Sequence, residues 1–329
     1  MSAKLIRPVD SDLHPVATGN YRIGTPAIQE FYELITRCLH HRTTGALIYG
    51  PSRIGKTRAI EYLRLLLATT HPKITTYHAQ AEHQPRHAEG PFLSSMLEAV
   101  GYPDPDTGSN PTKRLRHISK MKEACSKAGR GTIVLFCDEA QRYTDNEYEW
   151  LRDVHDHLDR LQIKLFTFLV GQQDLYSIKS DYQRAGKTQI VARLMVEELA
   201  FFGIRNAKDV ATCLAGYDDT MFPPKTSWSF TRFYLQQAVD GGYRLSADAQ
   251  VLWDALVAIH NKSGLGGTLE IPMESFARAV EIVLKESEVR DASNFRPSAE
   301  LWVQAVRSSG YVQTRVAVGR SLFDLSKVA

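Results

Sequence analysis

Gly50-Pro51-Ser52-Arg53-Ile54-Gly55-Lys56-Thr57 reads G-x-x-x-x-G-K-T, with Arg58 following. This is the pattern of a loop that cradles nucleotide phosphates. The apolar run Gly45-Ala46-Leu47-Ile48-Tyr49 precedes it and suits a buried strand. Arg58 to Leu67 follows with helical periodicity. Strand, glycine loop and helix therefore stand in the order the motif requires, which sets aside a chance glycine loop. Backbone N–H groups at a helix N-terminus, together with the helix dipole, favour phosphate charge. Gly50 and Gly55 are expected to permit tight, left-handed backbone near the ligand. Lys56 is expected to reach the β- and γ-phosphates of ATP, and the Thr57 hydroxyl to ligate Mg²⁺.

The chain has 329 residues, enough for one large domain or two ordinary ones, and its 43% hydrophobic content supports a full core. A formal charge of +3 is weakly basic, so any nucleic-acid role must rest on local clusters. Cys38, Cys125, Cys137 and Cys213 are scattered with no C-x-x-C pair, which fits a reducing compartment without a disulfide framework or zinc site. No apolar run approaches membrane length and the N-terminus lacks a signal-peptide core, so the expected location is cytoplasmic.

Gly131-Thr132-Ile133-Val134-Leu135-Phe136-Cys137-Asp138-Glu139-Ala140-Gln141 is the second strong signal. A β-branched and aromatic run ending in two acids reads as a buried parallel strand with a Walker B end. Asp138 is expected to hold Mg²⁺ through water and support Thr57. Glu139 is expected to act as general base on the attacking water. Ile163 to Gln173 reads as a further strand. In P-loop ATPases with an additional strand it lies between the two Walker strands, and its polar end senses the γ-phosphate. Gln172 is the first candidate for that sensor and Gln173 the second, since an amide can bond both phosphate and water. Arg193 stands directly before the apolar run Leu194 to Leu199, read as the fifth strand. It is favoured over Arg184 as an arginine finger offered to a neighbouring subunit.

Between these signals the chain is less specific. Residues 1–20 read as an N-terminal arm, and the segment near Tyr21 to Thr25 either touches adenine or only packs the domain. Thr25-Pro26 caps a helix. His83, Arg86 and His87 match no metal-ligand spacing and read as a solvated loop; His155 and His157 do not share a helical face. Residues 112–128 read as an amphipathic helix, with Thr112 as N-cap. Lys113, Arg116, Lys120 and Lys127 form a basic arc, and Leu115, Ile118, Met121 and Cys125 an opposing apolar side. Such an arc suits either a nucleic-acid backbone or plain solvent. From Gly203 the pattern becomes helical, with Asn206 and Ser246 as N-caps. Arg278 and Arg244 are candidate lid sensors. From Phe295-Arg296-Pro297 one short helix precedes a tail carrying Arg315, Arg320 and Lys327, either partner-binding or frayed.

Taken in order, Thr25-Pro26, Gly50–Thr57, Asp138-Glu139-Ala140-Gln141, Leu169-Val170-Gly171-Gln172, Arg193 and a helical lid resemble the TnsC/TniB family of AAA+ transposition regulators, relatives of the phage Mu target-selection ATPase. The resemblance covers roughly residues 21–290. It implies an α/β AAA+ P-loop NTPase core with a parallel sheet flanked by helices (21–203). A small all-helical lid (204–292) would follow it, with the arm (1–20) and a C-terminal tail (293–329) outside. It further implies ATP and Mg²⁺ as ligands, slow hydrolysis that rises with assembly, and rings or filaments on duplex DNA. Transposase subunits and a target-selection complex, CRISPR-guided in some elements, would be the partners. In such proteins basic residues between the second strand and Walker B line the DNA channel; here these are Lys113, Arg114, Arg116 and Lys120. The rival readings are a helicase loader or secretion-type ATPase, distinguished by whether duplex DNA stimulates assembly, and a nucleotide-switched signalling scaffold without DNA binding. A metabolic kinase is disfavoured by the Asp-Glu pair and the large helical region.

Overall fold

The computed structural model describes residues 6–83, 87–265 and 268–315. They divide into two units, one of residues 28–52 and 56–201, the other drawn from residues before 28, 53–55 and those from 202 onward.

The first unit alternates strands and helices. It runs β1 (Gly45–Tyr49), β2 (Thr75–Gln80), β3 (Thr132–Asp138), β4 (Lys164–Gly171) and β5 (Glu197–Ala200). All pairings are parallel, in the order β2-β3-β4-β1-β5. The run at 163–173 therefore does insert between the two Walker strands. Parallel strands need crossovers, and helices supply them. α1 (Pro15–Thr18) and α2 (Pro26–His41) precede β1; the crossovers hold α3 (Lys56–Thr70), α4 (Glu89–Ala99), α5 (Asn110–Ala128), α6 (Asp145–Arg160), α7 (Asp174–Arg184) and α8 (Thr188–Leu194). β3 is buried along its whole length, and β4 everywhere but Lys164. This is why both read as continuous apolar runs. Alternate residues serve opposite faces. Phe136 and Phe168 are register partners stacked at 5.7 Å, and Phe31 of α2 meets both edge-on at 5.9 and 6.0 Å. Leu135, Cys137 and Leu169 pack with Met96, Met121 and Leu151 on the other face.

α5 departs from the expected wheel. It begins at Asn110 after Ser109, not at Thr112. Its buried residues are Lys113, His117, Ile118, Met121 and Cys125, while Leu115 is 66% exposed. Ile118, Met121 and Cys125 thus face the core as expected, but Leu115 does not, and Lys113, whose ammonium Ser94 of α4 satisfies, joins His117 on the buried side.

The second unit is helical: α9 (Ala207–Asp219), α10 (Phe230–Tyr234), α11 (Gln236–Asp240), α12 (Ala249–Lys262), α13 (Met273–Ser287) and α14 (Ala299–Ser308). Asn206 caps α9 by accepting from Asp209 N–H at 2.9 Å. Ser246 instead lies in a 3-10 turn and donates its N–H to Asp218. Two stretches read as separate appendages belong to this unit's core. His14 and Val16 of the N-terminal arm are buried, His14 stacking on Phe233 at 4.1 Å. Trp302 of α14 is buried and donates Nε1–H to Asp248 at 3.0 Å. Arg315 donates to the Thr268 carbonyl. Arg86, Arg320 and Lys327 lie outside the described residues. No described helix is long and apolar enough to cross a membrane.

Candidate active site

The loop leaves β1 at Tyr49 and enters α3 at Lys56. Gly50 is required by proximity, since a Cβ there would lie 2.2 Å from the Phe201 carbonyl oxygen. The left-handed backbone is instead at Gly55 (φ 103°) and, against expectation for a side-chain-bearing residue, at Arg53 (φ 61°). Lys56 folds back over the loop. Its ammonium donates to the carbonyls of Gly50 (2.8 Å) and Pro51 (2.7 Å). Burial pulls its pKa down to about 8 against the upward pull of Glu139 and Asp138.

At the end of β3 the buried Asp138 meets α3. Thr57 Oγ1 donates to Asp138 Oδ2 at 2.6 Å, and Glu139 N–H donates to Oδ1 at 2.9 Å. Burial opposes ionisation, but His78, Thr57 and the Glu139 amide outweigh it and hold this carboxyl below its usual range. His78 on β2, which the sequence did not single out, brings Nε2 to 3.7 Å from Asp138 Oδ2; that separation makes it an electrostatic neighbour and not a hydrogen-bond donor. Only its place at the C-terminal end of a strand pairing with β3 could have flagged it.

Glu139 sits in the left-handed region (φ 54°), an uncommon conformation for this residue type. Its Oε2 accepts from Gln141 Nε2 at 2.7 Å, lies 3.5 Å from Gln172 Nε2, and has Arg142 at 3.7 Å. The Gln141 Oε1 accepts the Gln172 N–H at 3.0 Å. The structure thus gathers Lys56, Thr57, Asp138, Glu139 and Gln172 at the carboxyl ends of β1, β3 and β4, where open α/β sheets bind ligands. Gln173 is exposed at the start of α7.

The site suits Mg²⁺. Two hard oxygen donors, the Thr57 hydroxyl and the Asp138 carboxylate, adjoin the loop. This ion takes few protein ligands and keeps water and phosphate oxygens for the rest. Among the described residues no cluster of three or more His, Cys, Asp or Glu forms a metal cage.

Other sequence-predicted residues lie elsewhere. Arg193 is in α8 and pairs with Asp156 at 2.6 Å; its carbonyl accepts from Thr44 just before β1. That places it at the amino end of β1, opposite the chain's own phosphate loop. β5 begins at Glu197, so Arg193 does not abut it. Arg184 pairs with Asp181. In the basic set Lys113 is a correction: it is 6% exposed with Nζ on Ser94 Oγ at 2.7 Å, so it cannot face a DNA backbone. Arg114 pairs with Glu89, Arg116 donates to the Thr107 carbonyl at 2.6 Å, and Lys120 is 3.5 Å from Glu123. Tyr21 OH bonds Tyr217 OH (2.8 Å) and Glu281 (2.7 Å), so its hydroxyl is committed within the helical unit. Arg278 pairs with Glu274 and Arg244 with Asp219.

Residues 39–178 match the family described as AAA domain. No protein of curated function matches the chain. Among solved structures, the chain is similar to the Aeropyrum pernix ORC2 protein in its ADP form, with TM-score 0.54 and 16% identity over 89% of this chain and 71% of that one. The Aeropyrum pernix ORC1 protein in complex with DNA gives TM-score 0.50 and 16% identity over 88% of this chain. This chain spans 65% of that ORC1 chain. The α/β unit is thus an AAA-type P-loop fold, and a helical C-terminal region follows it.

Proposed function

We propose that this chain is a Mg²⁺-dependent ATPase of the AAA+ kind that assembles on duplex DNA and regulates DNA transposition, linking a target-selection complex to a transposase. The observation that carries the ATPase reading is the convergence of Thr57, Asp138, Glu139 and Gln172 beside the phosphate loop. Bound Mg²⁺, held by Thr57 and through water by Asp138, would offset charge on the triphosphate. Lys56 binds phosphate oxygens once it exchanges its loop carbonyls for them. Glu139 accepts a proton from the attacking water as its oxygen bonds to the γ-phosphorus. The γ-phosphorus bond to the bridging oxygen then breaks, leaving ADP and phosphate. Gln172 holds the γ-phosphate or the water through its amide. Arg193 serves the neighbouring protomer's site, which its position at the far end of β1 suits, after leaving Asp156.

DNA binding draws support from the fold shared with the ORC1 protein solved in complex with DNA, and from α5. Without Lys113, its exposed basic residues are Arg114, Lys122 and Lys127, with Arg130 just beyond. Contacts of this kind reach phosphates and carry little sequence information. The transposition role rests on the resemblance of the Asp138-Glu139-Ala140-Gln141 motif and the lid to TnsC/TniB proteins. The similarity to ORC proteins favours one second reading, a replication-initiator-type ATPase that also acts on duplex DNA.

The test is electron microscopy of the protein with duplex DNA and a non-hydrolysable ATP analogue, together and singly, beside an ATPase assay of Glu139→Gln. Rings or filaments appearing only with both ligands, and hydrolysis lost in the variant, are expected. Assembly indifferent to DNA would remove both DNA readings and leave a nucleotide-switched scaffold. Strand-transfer assays with a cognate transposase separate the transposition role from the initiator role.

A further inference from the structure

We infer that Gln141 is the positioning residue of the catalytic centre: its side-chain amide fixes the Glu139 carboxylate and couples it to the end of β4, where Gln172 sits. The inference rests on the hydrolysis reading above. Glu139 lies just past a strand, in a left-handed backbone conformation, with a side chain that would otherwise sample several rotamers. Among the described residues, the side-chain donors that approach its carboxylate address one oxygen, Oε2: Gln141 at 2.7 Å, Gln172 at 3.5 Å and Arg142 at 3.7 Å. Only the Gln141 bond is short. With Oε2 anchored, Oε1 is the oxygen left to face a water and take its proton.

The other end of the amide is also used. Gln141 Oε1 accepts the main-chain N–H of Gln172 at 3.0 Å. One planar group therefore ties the general base on one strand end to the sensor backbone on the next. A shift of the Gln172 main chain would be passed through this bond to the amide that holds Glu139. The fold makes room for this bridge at a single residue. A Cβ on Gly171 would stand 2.3 Å from Gln141 Oε1 and 3.2 Å from Leu175 Cδ2. Any side chain at 171 would displace the amide. A purely structural glutamine would not need both of its ends matched to catalytic groups.

The experiment measures steady-state ATP hydrolysis and, separately, nucleotide affinity for the full chain and for Gln141→Ala, Gln141→Asn, Gly171→Ala, the double variant Gln141→Ala/Gly171→Ala, and Glu139→Gln. Gln141→Ala should lower kcat roughly 10- to 100-fold, the range expected when a reacting group loses its orienting partner. KM, nucleotide Kd and assembly should stay within twofold. Gln141→Asn, one methylene shorter, should fall between. Gly171→Ala should reproduce the loss, and the double variant should be no worse than Gln141→Ala, since both remove the same contact. A Gln141→Ala protein with wild-type kcat, beside a Glu139→Gln protein that is inactive, would overturn this inference and leave the hydrolysis reading standing. A drop in nucleotide affinity matching the drop in kcat would also overturn it, as the mark of a binding or folding role. Hydrolysis unaffected in Glu139→Gln would sink both. Should Gly171→Ala not fold, the Gln141 variants decide alone.

Discussion

Lys56 gives the sharpest functional test, because its state in the free protein differs from the state nucleotide binding needs. It is 6% exposed, bonded to two loop carbonyls, and its pKa is lowered to about 8 chiefly by burial. A bound triphosphate favours the ammonium form and raises that pKa again. Above pH 8 the free protein has lost the proton that the complex needs, so binding must take one up. The sign follows: affinity for MgATP is flat below pH 8 and falls as pH rises through it. From pH 7 to pH 9 the loss is about tenfold, or about 1.4 kcal/mol. Calorimetric titration at pH 7, 8 and 9, at fixed ionic strength and in buffers of different ionisation heat, reads both the affinity and the proton uptake. Lys56→Arg keeps its charge throughout and should show no such pH dependence, whatever its absolute affinity. Wild-type affinity constant within twofold from pH 7 to 9, with no proton uptake, would refute the argument. It would mean that the Gly50 and Pro51 carbonyls and the nearby carboxylates hold the charge despite burial.

The remaining predictions concern stability. His117 is 1% exposed, neither ring nitrogen has a hydrogen-bond partner among the described residues, and burial lowers its pKa to about 4. The unfolded chain protonates near 6.5 and the folded one only near 4, so stability is lost as pH falls through that window, by about 2 kcal/mol at pH 5. His117→Leu should remove that share of the acid sensitivity, read as a smaller shift of the urea midpoint between pH 7.5 and 5; an unchanged shift would count against it. Trp302→Ala should cost about 3–5 kcal/mol, as large buried aromatics do. It also strips the indole donor from Asp248. A drop in melting temperature confined to the value of a surface substitution would show that α14 is an appendage and not part of the helical core.

The phosphate loop and the Walker B strand were legible because each is a local pattern whose meaning depends little on distant residues. Gly50, Gly55, Lys56, Thr57, Asp138 and Glu139 announce themselves by their spacing, and the reading of 163–173 as an additional strand placed it between the two Walker strands, where β4 lies. α5 shows where legibility ends. A helical wheel assumes which side faces the core, and Lys113 resembles a surface lysine until Ser94 and α4 are seen to cover it. Its stem packs inside while one hydroxyl satisfies the ammonium, an arrangement no residue count predicts. Leu115 is the matching error on the exposed side. Trp302 was hidden by Arg296-Pro297, which punctuates the chain like an end although the helix beyond it returns to the core. Gln141 stood in the quoted motif, but its partner Gln172 lies 31 residues away.

The strand order explains why that last contact exists at all. Because β4 lies between β1 and β3, the phosphate loop and Asp138 are separated by two strand spacings, about 9–10 Å. Thr57 can reach Asp138 only if α3 and its loop pass over the end of β4. The residue at that end offers its backbone to the loop, and the Gln141 amide requires it to be small. Gly171 does both: its carbonyl accepts the Gly50 N–H at 3.3 Å, and its bare Cα admits the Gln141 amide. The end of β4 thus meets the phosphate loop through its carbonyl and the bridge to Glu139 through its bare Cα. A side chain there would meet Gln141 and Leu175, and so would disturb the bridge to Glu139 and not the phosphate loop. The inserted strand accordingly does more than present Gln172. Its terminal glycine also touches both the loop that follows β1 and the Gln141 amide that follows β3.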